Sequence, residues 1–380
     1  MARIALLTNF AHIMLLFRRD LIRMLAESGH EVYCFAPDFD AASRQALQKL
    51  GGMAVPYTLN SRGINPFKDL LATWRLARQL RRLNMDAMLA CFVKPVIFGA
   101  FAAKLAGVPR RVGMIEGLGN AFTRHAAGYS AQARRIQRIQ AALYRLALPL
   151  LDTVILLNDD DRRDLLEQHR IRTRQTVILG AIGLNLADYP PQTLPQGPVS
   201  FVFVGRLLRE KGVFELLQAA EQVHARYPAT RITLIGGFDH GNPFALSPDA
   251  LYAHLQRGTV RHIAHSDDVA GELAAHHVFV LPSYREGFPR STQEAMAVGR
   301  AVITTDVPGC RDTVAHGVNG LLIPPYDADA LAAAMLHCIE NPAQVQHMAQ
   351  ESRTMAAAQF DADTINRRLM ALMLPENNPS

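Results

Sequence analysis

Short apolar runs alternate along this chain with longer stretches whose apolar residues recur every three or four positions. Arg3-Ile-Ala-Leu-Leu-Thr8 and Glu31-Val-Tyr-Cys-Phe-Ala36 are runs of the kind buried on both faces of a parallel sheet, and the amphipathic stretch between them ends at Gly29. The unit recurs: the spacing predicts helices over 66–83, 95–106 and 131–148 and strands over 86–92, 110–115 and 152–157. This alternation implies an α/β fold with helices on both faces of a parallel sheet. Ligands in such sheets bind at the carboxyl ends of the strands, where Asn9, His12, Glu116 and Asn158 fall.

Residues 186–198 hold four prolines without a regular period, which is linker chemistry. A second alternating series follows at once, with strands over 199–204, 232–235, 260–263, 278–281 and 301–304. Helices are predicted between them at 212–226, 247–257, 267–275 and 290–298, then at 327–340, 342–358 and 361–374. The expected organisation is two doubly wound, Rossmann-like domains, 1–185 and 199–358, joined by 186–198. A length of 380 residues is large enough for each to bury its own core.

Charge sharpens this division. Residues 1–150 hold 21 Lys and Arg against 8 Asp and Glu, and the remainder holds 19 against 26. A basic half beside an acidic one points to a polyanionic partner for the first, either nucleic acid or an anionic membrane surface, or else to a solvated basic face. The sequence has neither zinc spacing, an RNP-like segment nor interleaved aromatics, so no nucleic acid is expected as a partner. Four scattered cysteines with no C-x-x-C read as buried thiols of a reducing compartment. Residues 1–10 lack a signal-peptide pattern and 139–157 is interrupted by Arg145, Pro149 and Asp152, so the expectation is a cytoplasmic protein peripheral on the inner face of the membrane. The basic segment beginning at 131 sets Ile136, Ile139, Leu143 and Leu146 beside Arg134, Arg135, Arg138 and Arg145 at helical spacing. Either an interfacial helix or a core-packing helix with a solvated basic face fits that pattern.

Two segments of the second half carry candidate chemistry. Gly205-Arg206-x4-Lys211-Gly212 lies between a strand and a helix, so an anion there would meet two cations and a helix amino terminus. Alone, the two cations could equally be ordinary turn residues. Glu286 and Glu294 stand eight positions apart around Gly287-Phe288-Pro289-Arg290, after another strand and running into a helix. Carboxylates accept bidentately from sugar or ribose hydroxyls, and the backbone between them offers N–H donors to phosphate.

With these motifs the sequence resembles the family-4 retaining glycosyltransferases of the GT-B fold. The resemblance is carried by Phe203-Val-Gly-Arg-Leu-Leu-Arg-Glu-Lys-Gly212, Pro282-Ser-Tyr-Arg-Glu-Gly-Phe-Pro289, the Glu286 and Glu294 pair, and the segment from Gly299 to Gly309. Lys94-Pro95, Glu116-Gly-Leu-Gly119, Leu157 to Asp160 and Gly317 to Leu322 extend it over nearly the whole chain. Thr8-Asn9-Phe10, Glu116-Gly-Leu-Gly119 and Gly287 to Glu294 are similar to the bacterial subgroup that extends undecaprenyl-diphosphate-linked sugars in glycoprotein or surface polysaccharide assembly. The resemblance implies two domains facing across a cleft, with the last helix, 361–374, crossing back onto the first.

It further implies a UDP-sugar donor, with a hexose or N-acetylhexosamine and UDP-GalNAc as the best candidate, and a polyprenyl-diphosphate-linked sugar acceptor. Arg206 and Lys211 would hold the diphosphate, Glu294 the ribose, and Glu286 with Gly287, Phe288, Pro289 and Arg290 the donor sugar. No cofactor and no metal are implied, since cations and a helix terminus would neutralise the leaving diphosphate. Asp159-Asp160-Asp161 reads as a helix cap.

The first domain departs from the family's glycine pair after strand one, having Thr8-Asn9-Phe10-Ala11-His12. Asn9, His12, Lys94, Glu116 and Asn158 are therefore the acceptor-side candidates. Glu116 on its glycine loop fits either proton handling or a structural cap, and His12 either acceptor contact or a helix start. A nucleotide-sugar epimerase of the same fold and a non-enzymatic polyanion binder are the rival readings.

Overall fold

The apolar runs become two parallel sheets in the computed structural model, which describes residues 1–59, 66–239, 242 and 244–374. Contacts divide the chain into two units. The first contains Met1–Phe122, Ala131–Gly183 and the chain from Ala362 onward; the second contains Thr123–Ser130 and Leu184–Asp361.

In unit 1, strands β1 (Arg3–Leu7), β2 (Glu31–Ala36), β3 (Gly52–Pro56), β4 (Ala87–Cys91), β5 (Arg110–Ile115), β6 (Thr153–Leu156) and β7 (Thr176–Ile178) form a sheet in the order β3-β2-β1-β4-β5-β6-β7. All pairings are parallel; Ile4, for example, lies between Val32 and Ala87. Helices α1 (Ala11–Glu27), α2 (Ala41–Lys49), α3 (Pro66–Arg82), α4 (Val93–Ala106), α5 (Ala131–Ala147) and α6 (Asp159–Arg162) make the connections. β4 is buried at every position and β1 at four of five, which is why both read as unbroken apolar runs.

Unit 2 repeats the plan with β8 (Phe201–Val204), β9 (Ile232–Ile235), β10 (Arg261–Ile263), β11 (Val278–Leu281), β12 (Ala301–Thr305) and β13 (Gly320–Ile323), in the order β10-β9-β8-β11-β12-β13. Its helices are α7 (Val213–Arg226), α8 (Pro248–Gln256), α9 (Val269–Ala274), α10 (Arg290–Val298), α11 (Ala328–Glu340) and α12 (Pro342–Gln359). In each sheet the strand order reverses beside the first strand of the unit, at β1/β4 and at β8/β11, which is where a doubly wound sheet opens a ligand crevice.

The domain boundaries differ from the sequence reading in two places, at residues 186–198 and 123–130, and the last helix groups with the first unit as expected. Residues 186–198 are not a free linker: Gln192 N–H donates to the Val298 carbonyl at 3.1 Å, and the Arg300 guanidinium donates to the Gln192 carbonyl at 2.9 Å. Proline content marked the irregular backbone correctly but says nothing of what it packs on. Residues 123–130, read as part of the first domain, group with unit 2, where His125 stacks on Phe244 at 5.8 Å and the Tyr326 hydroxyl donates to the Arg124 carbonyl. The final helix α13 (Ala362–Met373) groups with unit 1, burying Ile365, Leu369 and Met373, each worth roughly 1.5–3 kcal/mol. Arg110 Nε donates to the Leu372 carbonyl at 2.8 Å and anchors the end of that helix beside β5.

Candidate functional site

In unit 2 the chain leaves β8 through Gly205 and Arg206 and makes a single 3-10 turn, Arg209–Lys211, before α7. Gly212 closes this turn at φ +70°, and a Cβ there would lie 2.0 Å from the Pro282 carbonyl oxygen. That close approach sets the Lys211 turn against the loop following β11. Lys211 Nζ lies 2.5 Å from Glu286 Oε1, and Ser283 Oγ donates to the same oxygen at 2.7 Å. From the other side Gly309, at φ +77°, leaves room for the Glu286 carbonyl, which a Cβ would approach to 2.3 Å. The Glu286 N–H donates to the Pro308 carbonyl at 3.0 Å. Loops at the carboxyl ends of β8, β11 and β12 thus converge on one carboxylate, with a cation held against it. Behind the pair, burial, with a contribution from the Glu286 charge, pushes the Cys310 thiol up to about 12, so it is a neutral wall and not a nucleophile.

Glu294, one turn into α10, is buried and accepts from Arg290 Nε and from the Tyr189 hydroxyl, both at 2.8 Å. Burial and the adjoining carboxylate raise the Tyr189 phenol above its ordinary value, which keeps it a donor. Neither α7 nor α10 has a side-chain cap on its first turn, the arrangement in which backbone N–H groups suit an anion.

Several predicted contacts are arranged differently. Arg290 pairs with Glu294 in place of standing with Glu286, because one helical turn brings positions i and i+4 together. Arg206 pairs with Asp239 at 2.9 Å and its side chain is 62% exposed. The Phe288 ring is buried edge-on against Phe360 at 5.7 Å, so it serves the core, and Pro289 is the residue before the first turn of α10.

In unit 1, Glu116 is not an open carboxylate on a glycine loop. It is paired with Arg18 of α1, and both side chains are buried. Burial raises the Glu116 carboxyl above its usual range, with Arg18 opposing. Asn158 spends its Oδ1 on the Asp161 N–H at 2.6 Å, so it and not the aspartate run caps α6. Asp159 and Asp160 instead reach forward to Arg162 and Arg163.

Lys94 lies inside the first turn of α4, not before the helix, 3.7 Å from Asp69. The preceding Phe92 has φ +74° and ψ 167°, a conformation that costs a bulky residue about 1–3 kcal/mol and that concentrates at functional sites. His12 is exposed and stacked on Phe10 at 5.5 Å, whereas Asn9 keeps a buried Oδ1 without a hydrogen-bond partner. That orphan acceptor at the end of β1 is the strongest polar feature of the acceptor-side set.

Three partners were not anticipated: Arg18, Tyr189 and Asp239. Arg18 left a trace, since it occupies an apolar-face position of α1 among Met14, Leu21, Ile22 and Leu25, where a cation requires a buried counter-charge.

Residues 17–180 match the family described as glycosyl transferase 4-like domain, and residues 188–355 match glycosyl transferases group 1. The chain belongs to the glycosyltransferases. Over 370 residues this glycosyltransferase is 26% identical to the N,N'-diacetylbacillosaminyl-diphospho-undecaprenol alpha-1,3-N-acetylgalactosaminyltransferase of Campylobacter jejuni, with 94% of each chain covered. It is 24% identical over 292 residues to the UDP-Gal:alpha-D-GlcNAc-diphosphoundecaprenol alpha-1,3-galactosyltransferase of Escherichia coli, covering 74% of this chain and 73% of the other. The fold is that of the GT-B glycosyltransferases. It matches sucrose-phosphate synthase from Thermosynechococcus elongatus with a TM-score of 0.80 at 21% identity, over 98% of both chains. Anabaena HepE, solved in complex with UDP, gives a TM-score of 0.76 at 19% identity over 97% of this glycosyltransferase and 98% of that chain.

Proposed function

We propose that this glycosyltransferase moves a hexose or N-acetylhexosamine from a UDP-sugar onto an undecaprenyl-diphosphate-linked sugar, with retention of anomeric configuration, in glycoprotein or surface polysaccharide assembly. The observation that carries the reading is the Lys211 and Glu286 pair set between the uncapped amino termini of α7 and α10. A diphosphate would bring its charge to the ammonium and the helix N–H groups, and Glu286 would turn from Lys211 to a sugar hydroxyl. Glu294, oriented by Tyr189 and Arg290, would take the ribose hydroxyls. Relatives named for transfer to diphospho-undecaprenol sugars support the acceptor, the Campylobacter relative supports GalNAc as the sugar moved, and the Escherichia coli relative, named with UDP-Gal, supports a UDP-linked donor.

In the proposed step the anomeric C–O bond breaks and the bonding pair leaves with UDP. The acceptor hydroxyl attacks from the same face and passes its proton to the departing phosphate oxygen. Lys211 and the two helix termini stabilise charge as it develops, which is the task a divalent cation performs elsewhere. Asn9 and Lys94 are the unit 1 groups assigned to the acceptor. The enzyme would work from the inner face of the cytoplasmic membrane, and no helix of the described residues is long and apolar enough to cross one.

Incubating the enzyme with a panel of UDP-sugars and a synthetic polyprenyl-diphosphate sugar in excess EDTA tests this directly. One donor should be transferred, UDP-GalNAc foremost, at the rate seen with added Mg²⁺ or Mn²⁺. Transfer that vanishes with EDTA and returns with metal would overturn the cation-only account. Isomerised UDP-sugar in the absence of acceptor would move the enzyme to the epimerases. Tyr189→Phe removes one hydrogen bond to Glu294, a loss of about 0.5–1.5 kcal/mol, so KM for the donor should rise roughly 2–10-fold with kcat little changed. A change in kcat alone, measured under saturating donor, would detach Glu294 from ground-state donor binding.

A further inference from the structure

The basic half of the sequence carries two amphipathic candidates, and the structure separates them. α5 keeps Arg134, Arg135 and Arg138 exposed, but its apolar side is largely used: Ala141, Tyr144 and Ala147 are buried and Leu143 packs on the core. Of the segment's large apolar residues, Ile136 and Leu146 remain exposed, ten positions apart. α3 is the opposite case. Ala72, Thr73, Leu76, Ala77 and Leu80 are buried, and the helix packs on α4 through its inner face.

The outer face of α3 nonetheless presents Phe67, Leu70, Leu71 and Trp74 at 86%, 70%, 46% and 52% exposure. Positions i, i+3, i+4 and i+7 lie on one stripe, so these four form a continuous apolar strip on a helix whose packing needs are already met. The strip runs directly into a basic end. Arg78 lies 4.8 Å over the Trp74 ring, and Arg75, Arg78 and Arg82 line a groove with Gln79 and Tyr57. Among the described residues, no acidic side chain lines that groove.

We propose that α3, and not α5, is the surface by which this glycosyltransferase docks on an anionic bilayer, a proposal that rests on the reading of a lipid-linked acceptor. Phe67, Leu70, Leu71 and Trp74 enter the boundary between headgroups and acyl chains. Arg75, Arg78 and Arg82 sit at headgroup level and take lipid phosphates into the groove. A bilayer suits the strip better than a protein partner because apolar and cationic residues are ordered along one helix face, with an aromatic residue where they meet. The charge matches as well, since the groove is cationic without a carboxylate and unit 1 carries most of the excess basic residues.

The chain has a single tryptophan, Trp74, so the full-length protein reports its own docking. Vesicles of phosphatidylglycerol and phosphatidylethanolamine should shift its emission to the blue and allow quenching by lipids brominated near the headgroup. In co-sedimentation, the double variant Leu70→Glu, Leu71→Glu and the triple variant Arg75→Glu, Arg78→Glu, Arg82→Glu should each lower partitioning on the order of 100-fold. The triple variant Arg134→Glu, Arg135→Glu, Arg138→Glu should change it less than tenfold. All three should transfer sugar to a short water-soluble acceptor analogue at the parent's rate.

The proposal is overturned if the α3 variants bind vesicles like the parent, if the α5 variant takes the loss, or if vesicles leave Trp74 emission unchanged. A lipid-free dimer, seen by light scattering and abolished by the Leu70 and Leu71 changes, would assign the strip to a second copy and also overturn it. None of these outcomes touches the transferase reading, which fails only if the parent cannot glycosylate the acceptor analogue.

Discussion

Replacing Lys211 with alanine is expected to slow sugar transfer about 10²–10³-fold, the 2.7–4 kcal/mol that one preorganised donor contributes to a developing anion. The geometry makes Lys211 hard to substitute. Its turn is fixed by Gly212 under the Pro282 carbonyl, and its ammonium is held 2.5 Å from Glu286, which is itself held by Ser283. On the proposed donor site, removing the cation would delete the phosphate contact and also leave Glu286 to repel the incoming diphosphate. With Glu294 on the ribose as proposed, Glu294→Ala should fall more on KM for the donor. Single-turnover rates at saturating donor, with circular dichroism to show an intact fold, check the first effect. Turnover within threefold of the parent would dissociate Lys211 from the leaving group.

The second large effect is on stability. Arg18→Ala should lower the unfolding free energy of unit 1 by about 3–5 kcal/mol, because it strands the buried Glu116 carboxylate without its counter-charge. Replacing both partners, Arg18→Met with Glu116→Leu, should recover much of that loss, since a buried pair and an apolar pair of similar volume are often close in free energy. Trp74 lies in unit 1 and follows its urea transition even if unit 2 unfolds separately. Equal midpoints for parent and Arg18→Ala would show that Glu116 finds another partner. Sugar transfer retained by the double variant well below its midpoint would make Glu116 a structural residue and end its candidacy for proton handling.

Most strands were legible because the central ones are buried at nearly every position and so are written as unbroken apolar runs. The elements missed are those where burial is partial or short. β3 runs from Gly52 to Pro56 on a sheet edge with one fully buried residue, β7 has three residues, and α2 buries Leu47 alone. β13 opens on Gly320, whose Cβ would strike the Val302 carbonyl at 2.1 Å; a strand that needs glycine for close pairing looks like a turn in sequence.

The same contrast holds in the site. Lys211 and Glu286 were visible because each lies in a compact loop motif between a strand and a helix. Their meeting across 75 positions follows from adjacent strand ends, β8 beside β11. Tyr189 reaches Glu294 across 105 positions from a proline-rich segment with no period, so no local pattern announces it. Glu116 misled because a carboxylate on a glycine-rich loop is the same string whether it faces solvent or an arginine 98 residues earlier.

The placement of α13 bears on how the chain matures. Translation proceeds from the amino terminus, and domains usually complete in that order. Here the apolar patch on α1, β4 and β5 that receives Ile365, Leu369 and Met373 waits for the last helix to leave the ribosome. Every residue of unit 2, ending at Asp361, has been made by then. The first unit begun is therefore the last one finished, and until the final helix is made the nascent polypeptide carries that apolar surface uncovered.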